Sequence, residues 1–394
     1  MRLRRLGRWA VASVLLGSTL LLTGCWGLAS MEQTGLVTLL GMDVIPGGRY
    51  QVTIGVVNPF GLPTPTGSSP GGQPELVRSA VGPSPAAALL RLSASSYLDL
   101  DFSHLQGVIV STALARAGLA TPLGFLARSA PFVQTPLLLI ARGESAAAVV
   151  HESQAMLPDG GQVLAGTSAW ARDLFPVHPV RLFRFLDQTQ ITGDQPTAPG
   201  LRVPSAQGQS TSTAFSLDGT ALFRGDRLVG WLDQAATLGW LLATDRVRAQ
   251  TVLVPTAAGG VYTVQLNASH CQVQVWQGVH GPEAHLRIRV RASLLAVQAA
   301  PADFWGHPAE VTAVEAATAH QLAADVRHGL RAARAAGSDV FGLGEYVRIH
   351  DPQAWYRMDG DWNTVGFPHV PVTLQVGVTL RDLGKRFCPL RGLC

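Results

Sequence analysis

At 394 residues the chain is long enough for two or three domains, each with its own core. The formal net charge is +4, but Arg2, Arg4, Arg5 and Arg8 sit in an amino-terminal segment without an acid, so the rest is near neutral and nucleic-acid binding is disfavoured. Four cysteines are too few for a disulfide scaffold.

The chain opens with those four arginines, and an uncharged apolar run follows from Trp9 to Leu22. That pattern is a secretory signal, short for a bilayer span. It runs into Leu21-Leu22-Thr23-Gly24-Cys25-Trp26, small residues leading directly to a cysteine, which resembles the bacterial lipobox. In that pattern residues 1–24 are removed, the Cys25 thiol receives a diacylglycerol and the new amino terminus is usually acylated. Each buried methylene contributes roughly 0.8 kcal/mol, so two or three chains make attachment nearly permanent. No later stretch is long and apolar enough to cross a membrane; Leu238 to Ala243 is soon interrupted by Asp245 and Arg246.

Leu36 to Val44 reads as a strand and Pro46-Gly47-Gly48 as a turn. Tyr50, Val52, Ile54 and Val56 then alternate with polar or small residues at period two, which completes a hairpin. Gly61 to Gly82 is crowded with Pro, Gly, Ser and Thr and reads as an exposed loop. Ser84-Pro85 starts a helix through Tyr97. A strand from Leu105 to Ser111, a short helix stopped by Gly118, a helix capped at Thr121-Pro122 and a strand from Leu137 to Ala141 follow. This alternation predicts a mixed sheet covered by helices.

The Pro/Gly/Gln-rich stretch from Thr192 to Gln209 reads as a boundary. A hairpin across Arg224-Gly225-Asp226 and a helix ending at Ala243 follow it. Three amphipathic strands come next, marked by Tyr262/Val264/Leu266, Cys271/Val273/Val275 and Leu286/Ile288/Val290, and suggest an antiparallel sheet with one wet face. A long helix spans Ala309 to Ala336, with acids near its start, arginines near its end and Gly337 to close it. Val372 to Leu380 forms a last strand. The expected fold is α+β, three small subdomains that are each a mixed or antiparallel sheet packed by helices. The expected limits are 25–191, 192–250 and 251–386, with a tail at 387–394.

No catalytic arrangement emerges. His151-Glu152 lacks a histidine at Ala155, Gly166-Thr167-Ser168-Ala169 meets Trp170 where a nucleophile elbow needs glycine, and Gly342-Leu343-Gly344 lacks a third glycine at Val347. His104, His178, His350 and His369 have no metal-ligand spacing, and Asp359 and Asp361 suit a solvated turn. Trp231, Trp240, Trp355 and Trp362 read as core residues or as a stacking surface. The expectation is no catalytic residue, no metal and no cofactor.

Four blocks together resemble the Ger(x)C spore germination lipoproteins, the C subunits of nutrient germinant receptors. The first is Gly24-Cys25-Trp26 with Leu39-Leu40-Gly41-Met42-Asp43 and Tyr50 to Pro59. The second is His104 to Val110 with Leu114 to Leu119 and Phe125 to Arg128. The third is Gly219 to Phe223 with Arg224 to Arg227 and Leu228 to Leu232, and the fourth Ser338 to Glu345 with Pro352, Trp355 and Trp362. They run in the family's order over nearly the whole mature chain. Gly27 to Ser30 departs from the family's charged segment, and the tail from Arg386 is unusual.

The resemblance implies a non-enzymatic, lipid-anchored protein on the outer face of the spore inner membrane, beside two integral membrane receptor subunits of A and B type. Cys25 is the expected lipidation site. Asn58, Pro59, Phe341, Gly342, Gly344, Glu345 and Trp362 are candidates for a partner-facing surface, against the alternative that they fix turns and core. A substrate-binding lipoprotein of a transporter and a cell-envelope hydrolase remain as rival readings.

Overall fold

A computed structural model describes residues 34–57, 75–129, 132, 135–153, 166, 176–203, 215–255, 260–279, 281–298 and 308–382. Among these residues the strands form two sheets, one of nine strands and one of four.

The large sheet grows outward from parallel strands. β1 (Thr34–Ile45), β5 (Gly107–Ser111), β6 (Leu137–Ala141) and β7 (Thr197–Arg202) lie side by side in parallel. Parallel strands covered on both faces carry unbroken apolar runs, and these do: Val108 and Val110 face one core while Ile109 faces the other, and Leu138 and Ile140 oppose Leu139 and Ala141 in the same way. β2 (Arg49–Val57) and β3 (Glu75–Gly82) extend one side antiparallel, β8 (Ser216–Arg224) and β9 (Arg227–Leu232) the other, and β4 (Asp99–Asp101) pairs with β1. One face carries α1 (Pro85–Ser95), α2 (Thr112–Ala117), α3 (Ala120–Arg128) and α5 (Leu182–Gln188); α4 (Ala146–Ser153) covers the other.

The small sheet has the order β10 (Gln250–Pro255), β11 (Val261–Gly278), β12 (Gly281–Gln298) and β13 (Val372–Asp382). On β12 the even positions from Ala284 to Leu294 are buried, while Arg289 and Arg291 lie in solvent, as one-sided burial requires. α7 (Pro308–Ala336) packs beneath this sheet, followed by α8 (Leu343–His350) and α9 (Pro352–Met358). Between the two sheets lies α6 (Gln234–Ala243), started by Asp233, whose Oδ1 accepts from Ala236 N at 2.8 Å. From Ala236 to Ala243 every residue of α6 is buried. A helix apolar on all sides must be covered on all sides, and this one is.

The α+β class and its mixed or antiparallel sheets are as expected, with four local differences. The strands of residues 192–250 join the large sheet instead of making one of their own. Pro199 and Gly200 suggested a break, but they sit at a bulge in β7, where Gly200 has room only for a hydrogen between Asp218 and Trp231. β3 occupies the end of the expected loop from Gly61 to Gly82; its Leu76-Val77 and Ala80-Val81 pairs are diluted by the Pro/Gly-rich composition before them. α3 begins at Ala120 rather than at Thr121, because the Asp226 carboxylate in the distant β8–β9 turn accepts from Ala120 N at 2.8 Å. The two expected strands at Tyr262–Leu266 and Cys271–Val275 are one long β11, whose bulge between Leu266 and Ala268 moves the inward positions from even to odd.

α6 and α7 cross where Gly239 meets the Asp325 backbone and Gly329 meets the Ala236 carbonyl. A methyl on Gly239 would overlap backbone that cannot step aside. Gly239→Ala is therefore expected to lower the urea unfolding free energy by about 1–3 kcal/mol. Gly377→Ala, which meets open space, should change it much less.

Candidate functional site

The fourth family-like block, Ser338 to Glu345, forms the turn between α7 and α8. Gly337 takes φ +59° to end α7, and Gly342 takes φ +68° at the start of α8, a region costly for other residues. Between them Ser338 and Asp339 are completely buried. Burying a carboxylate requires donors, and Asp339 has three. Its Oδ1 accepts from Leu343 N at 3.2 Å, and its Oδ2 from Gly344 N at 2.7 Å and Trp362 Nε1 at 2.8 Å. Two of these are first-turn amides of α8, which suit an anion.

The backbone of the turn is equally committed. Asp339 N donates to Asn363 Oδ1 at 3.0 Å, Gln195 N to the Asp339 carbonyl at 2.9 Å, and Trp240 Nε1 to the Val340 carbonyl at 2.8 Å. Ser338 Oγ donates to the Phe223 carbonyl of β8. The turn thus ties β8 of the large sheet, α6 and the segment around Gly193 to the cover of the small sheet. Gly193 and Gly344 make the last contact possible: a Cβ on Gly193 would stand 2.5 Å from Glu345 N, and one on Gly344 2.5 Å from Trp362 Nε1.

Burial pushes the Asp339 carboxyl up to about 7, against the pull of its N–H donors and helped by the nearby Asp194 charge. Burial likewise raises Asp194 to about 6, with Arg246 opposing. Both acids therefore favour the folded state when protonated.

A second feature lies beyond the carboxyl ends of β1, β5 and β6, where open α/β sheets commonly bind ligands. An open groove of about 660 Å³ is lined there by Asp43, Ser111, Thr112, Arg116, Arg142 and Trp231, among others. Most of its polar groups are occupied. Asp43 accepts from Ala146 N and Ala147 N of α4, each at 2.9 Å, Ser111 Oγ caps α2, and Thr112 Oγ1 donates to the Ala141 carbonyl at 2.6 Å. Arg142 lies 4.8 Å from the Trp231 ring centre and 3.3 Å from Asp218 Oδ1. The hydroxyls of Ser111 and Thr112 thus serve α2 and β6, and Ser145 Oγ accepts from Ala148 N at the start of α4 at 3.0 Å.

Of the candidate partner-surface residues, Phe341, Gly344 and Trp362 are interior, with Phe341 5% and Trp362 1% exposed. Gly342 and Glu345 are half-buried, Glu345 holding Arg348 at 2.8 Å. Cys25, Asn58 and Pro59 lie outside the described residues, as do Cys388 and Cys394. Trp240 and Trp355 are core, and Trp355 packs on Trp362 with ring centres 5.5 Å apart. Burial pushes the Cys271 thiol up to about 12, so it is not a thiolate. Among the described residues no three His, Cys, Asp or Glu side chains gather as a metal site, and no helix is long and apolar enough to cross a membrane. Inspection of the sequence missed the anchoring role of Asp339. Its signal was an acid four and five residues ahead of a Leu-Gly helix start.

Both halves of this two-sheet framework match family models of spore germination proteins. The family model described as "Spore germination protein N-terminal domain" matches residues 29–203, and "Spore germination B3/ GerAC like, C-terminal" matches 218–384. The chain belongs to the Ger(x)C family. It is 21% identical to spore germination protein KC of Bacillus subtilis over 404 aligned residues, 97% of each chain. It is 26% identical to the YfkR spore germination protein of that organism over 262 residues, 64% of this chain and 65% of the relative. The crystal structure of the GerBC protein superposes with a TM-score of 0.55 at 16% identity, covering 87% of this chain and 96% of that one, so the two share a fold.

Asp339 sets a pH dependence. Its folded pKa of about 7 lies above the ordinary 3.8, so its contribution to stability is full below about pH 4 and is lost as pH rises through 7. The unfolding free energy should therefore fall between about pH 4 and pH 7 and level off above, and Asp339→Asn should flatten that slope while Asp194 retains part of it. Asp339→Ala strands three buried donors and should cost at least about 1–3 kcal/mol in denaturant unfolding.

Proposed function

We propose that the protein is a non-enzymatic, lipid-anchored C subunit of a nutrient germinant receptor. On this reading it is held by Cys25 on the outer face of the spore inner membrane, beside two integral membrane subunits of A and B type. The observation that carries the reading is the match of both halves of the chain, in order, to one family of spore germination proteins. The lipobox-like Leu22-Thr23-Gly24-Cys25 supports the anchor. Two further features favour a structural and binding role over chemistry. The family-like blocks Gly41 to Asp43 and Ser338 to Gly344 are spent on helix starts and close packing, and in the groove above β1, β5 and β6 the side chains of Asp43, Ser111 and Thr112 are held by backbone hydrogen bonds. A transporter binding protein would need two similar lobes around a cleft, whereas a nine-stranded sheet here stands beside a four-stranded one.

The test is affinity purification of the tagged chain from detergent-solubilised spore membranes, with mass spectrometry of the chain and of what accompanies it. Two integral membrane proteins should co-purify and the mature chain should begin at a diacylated Cys25. Cys25→Ala should move the protein out of the membrane fraction and weaken recovery of both partners. An intact amino terminus, or recovery of a transporter permease instead, would refute the reading.

A further inference from the structure

A groove of about 580 Å³ separates α7 from β13, lined by Ala324, Arg327, Leu330, Arg331 and Arg334 on the helix and Val372, Thr373 and Leu374 on the strand. Its lining contains three arginines and no carboxylate. Arg327 and Arg331 lie exposed in solvent. Arg334 donates from Nη2 to the Val370 carbonyl, and its buried Nε has no partner.

The strand side of the groove is an open sheet edge. β13 pairs with β12 and ends the small sheet among the described residues. Ala284 N donates to the Pro371 carbonyl at 2.9 Å, so the odd-numbered residues of β13 turn their amides toward β12 and the even-numbered ones turn theirs outward. Leu380 agrees, because its N–H leaves the ladder and donates to Glu315 Oε1 of α7 at 2.8 Å. Val372 and Leu374 therefore present N–H and C=O groups to the groove.

α7 and β13 run antiparallel, with Glu315 beside Leu380 and Arg334 beside Val370. The helix closes the edge at the Glu315 end and leaves it open at the arginine end. From Arg327 to Arg334 the helix rises by about 10 Å, the span of about three strand residues. Carboxylates at alternate positions of an extended segment would meet that spacing.

We propose that this groove docks a short extended acidic segment of a partner protein, which adds to the β13 edge at Val372–Leu374 and places its carboxylates on Arg327, Arg331 and Arg334. Strand addition supplies main-chain hydrogen bonds, and the arginines supply selectivity for acids. Residues 383–394 are an unsuitable occupant, carrying Lys385, Arg386 and Arg391 and no Asp or Glu. The proposal is argued from this groove alone and does not depend on the receptor reading.

The test uses the full chain in detergent micelles and a fluorescein-labelled, end-blocked Glu-Val-Glu-Val-Glu-Val peptide, read by anisotropy, with the Lys-for-Glu peptide as control. The acidic peptide should bind and the basic one should not. Arg327→Glu with Arg331→Glu, both at exposed positions, should weaken binding at least about tenfold without moving the thermal midpoint. Val372→Pro removes one outward N–H at a position where strands tolerate proline, and should also weaken binding; if it unfolds the chain, the charge reversal decides. Equal binding of both peptides, or indifference to the charge reversal, would overturn the proposal. So would full displacement by millimolar inorganic phosphate or by phosphatidylglycerol vesicles, which would make the groove an anion or lipid-headgroup site instead.

Discussion

A carboxylate without solvent must find its donors inside the protein, and Asp339 draws much of the structure around that need. Its two oxygens take the first amides of α8 and the indole of Trp362, so the helix start and the tryptophan are placed relative to each other. The backbone on either side is then used by Gln195, Trp240 and Asn363, which come from both halves of the chain. Removing the acid would leave several donors stranded in a place water does not reach. The cost of burial is visible in the raised carboxyl, and the fold tolerates it because the side chain fixes the start of α8 and Trp362 while the backbone beside it holds Gln195, Trp240 and Asn363.

The same device recurs in the large sheet. Asp43, at the carboxyl end of β1, accepts the first two amides of α4, more than a hundred residues later. Gly41, two residues before it, leaves space for the Ala146 carbonyl and the Val150 side chain, as Gly344 leaves space for Trp362. In both places an acid caps a helix and a glycine close by makes room for the packing, from four and five residues away at Asp339 and from more than a hundred at Asp43. Asp226 starts α3 by the same means from the β8–β9 turn. α3 and α4 begin where a distant part of the chain supplies an acceptor, so their starting points are set by tertiary structure as much as by local propensity.

That explains what could be read from the sequence and what could not. The β1–β2 hairpin, α1 with its Ser84 cap, α6, the long α7 and the inward face of β13 were legible because each follows from a local period or a local cap. β3 and β7 were hidden in segments whose Pro and Gly content signals a loop, although pairing with neighbours overrides that signal. The cap of α3 lies 106 residues away and has no local trace. Phe341, Gly344 and Trp362 were recognisable as a block but not as interior, since an aromatic and glycine-rich turn reads the same whether it faces a partner or a core. Only the carboxylate of Asp339, with its donors in view, separates those readings.

How the polar groups are allotted points to where the chain meets other molecules. Asp43, Asp339, Ser111, Thr112 and Ser338 are all spent internally on helix starts and strand carbonyls. Groups used in this way are poor nucleophiles and bases, because moving a proton or a side chain would release the structure they hold. Arg327 and Arg331 differ in that they are exposed, of one sign, and set beside strand amides that the sheet leaves unused. Clustered like charges repel one another and an open edge invites pairing, so each is a cost unless something complementary arrives. An acidic strand removes both costs at once, which neither a free anion nor an apolar peptide would do.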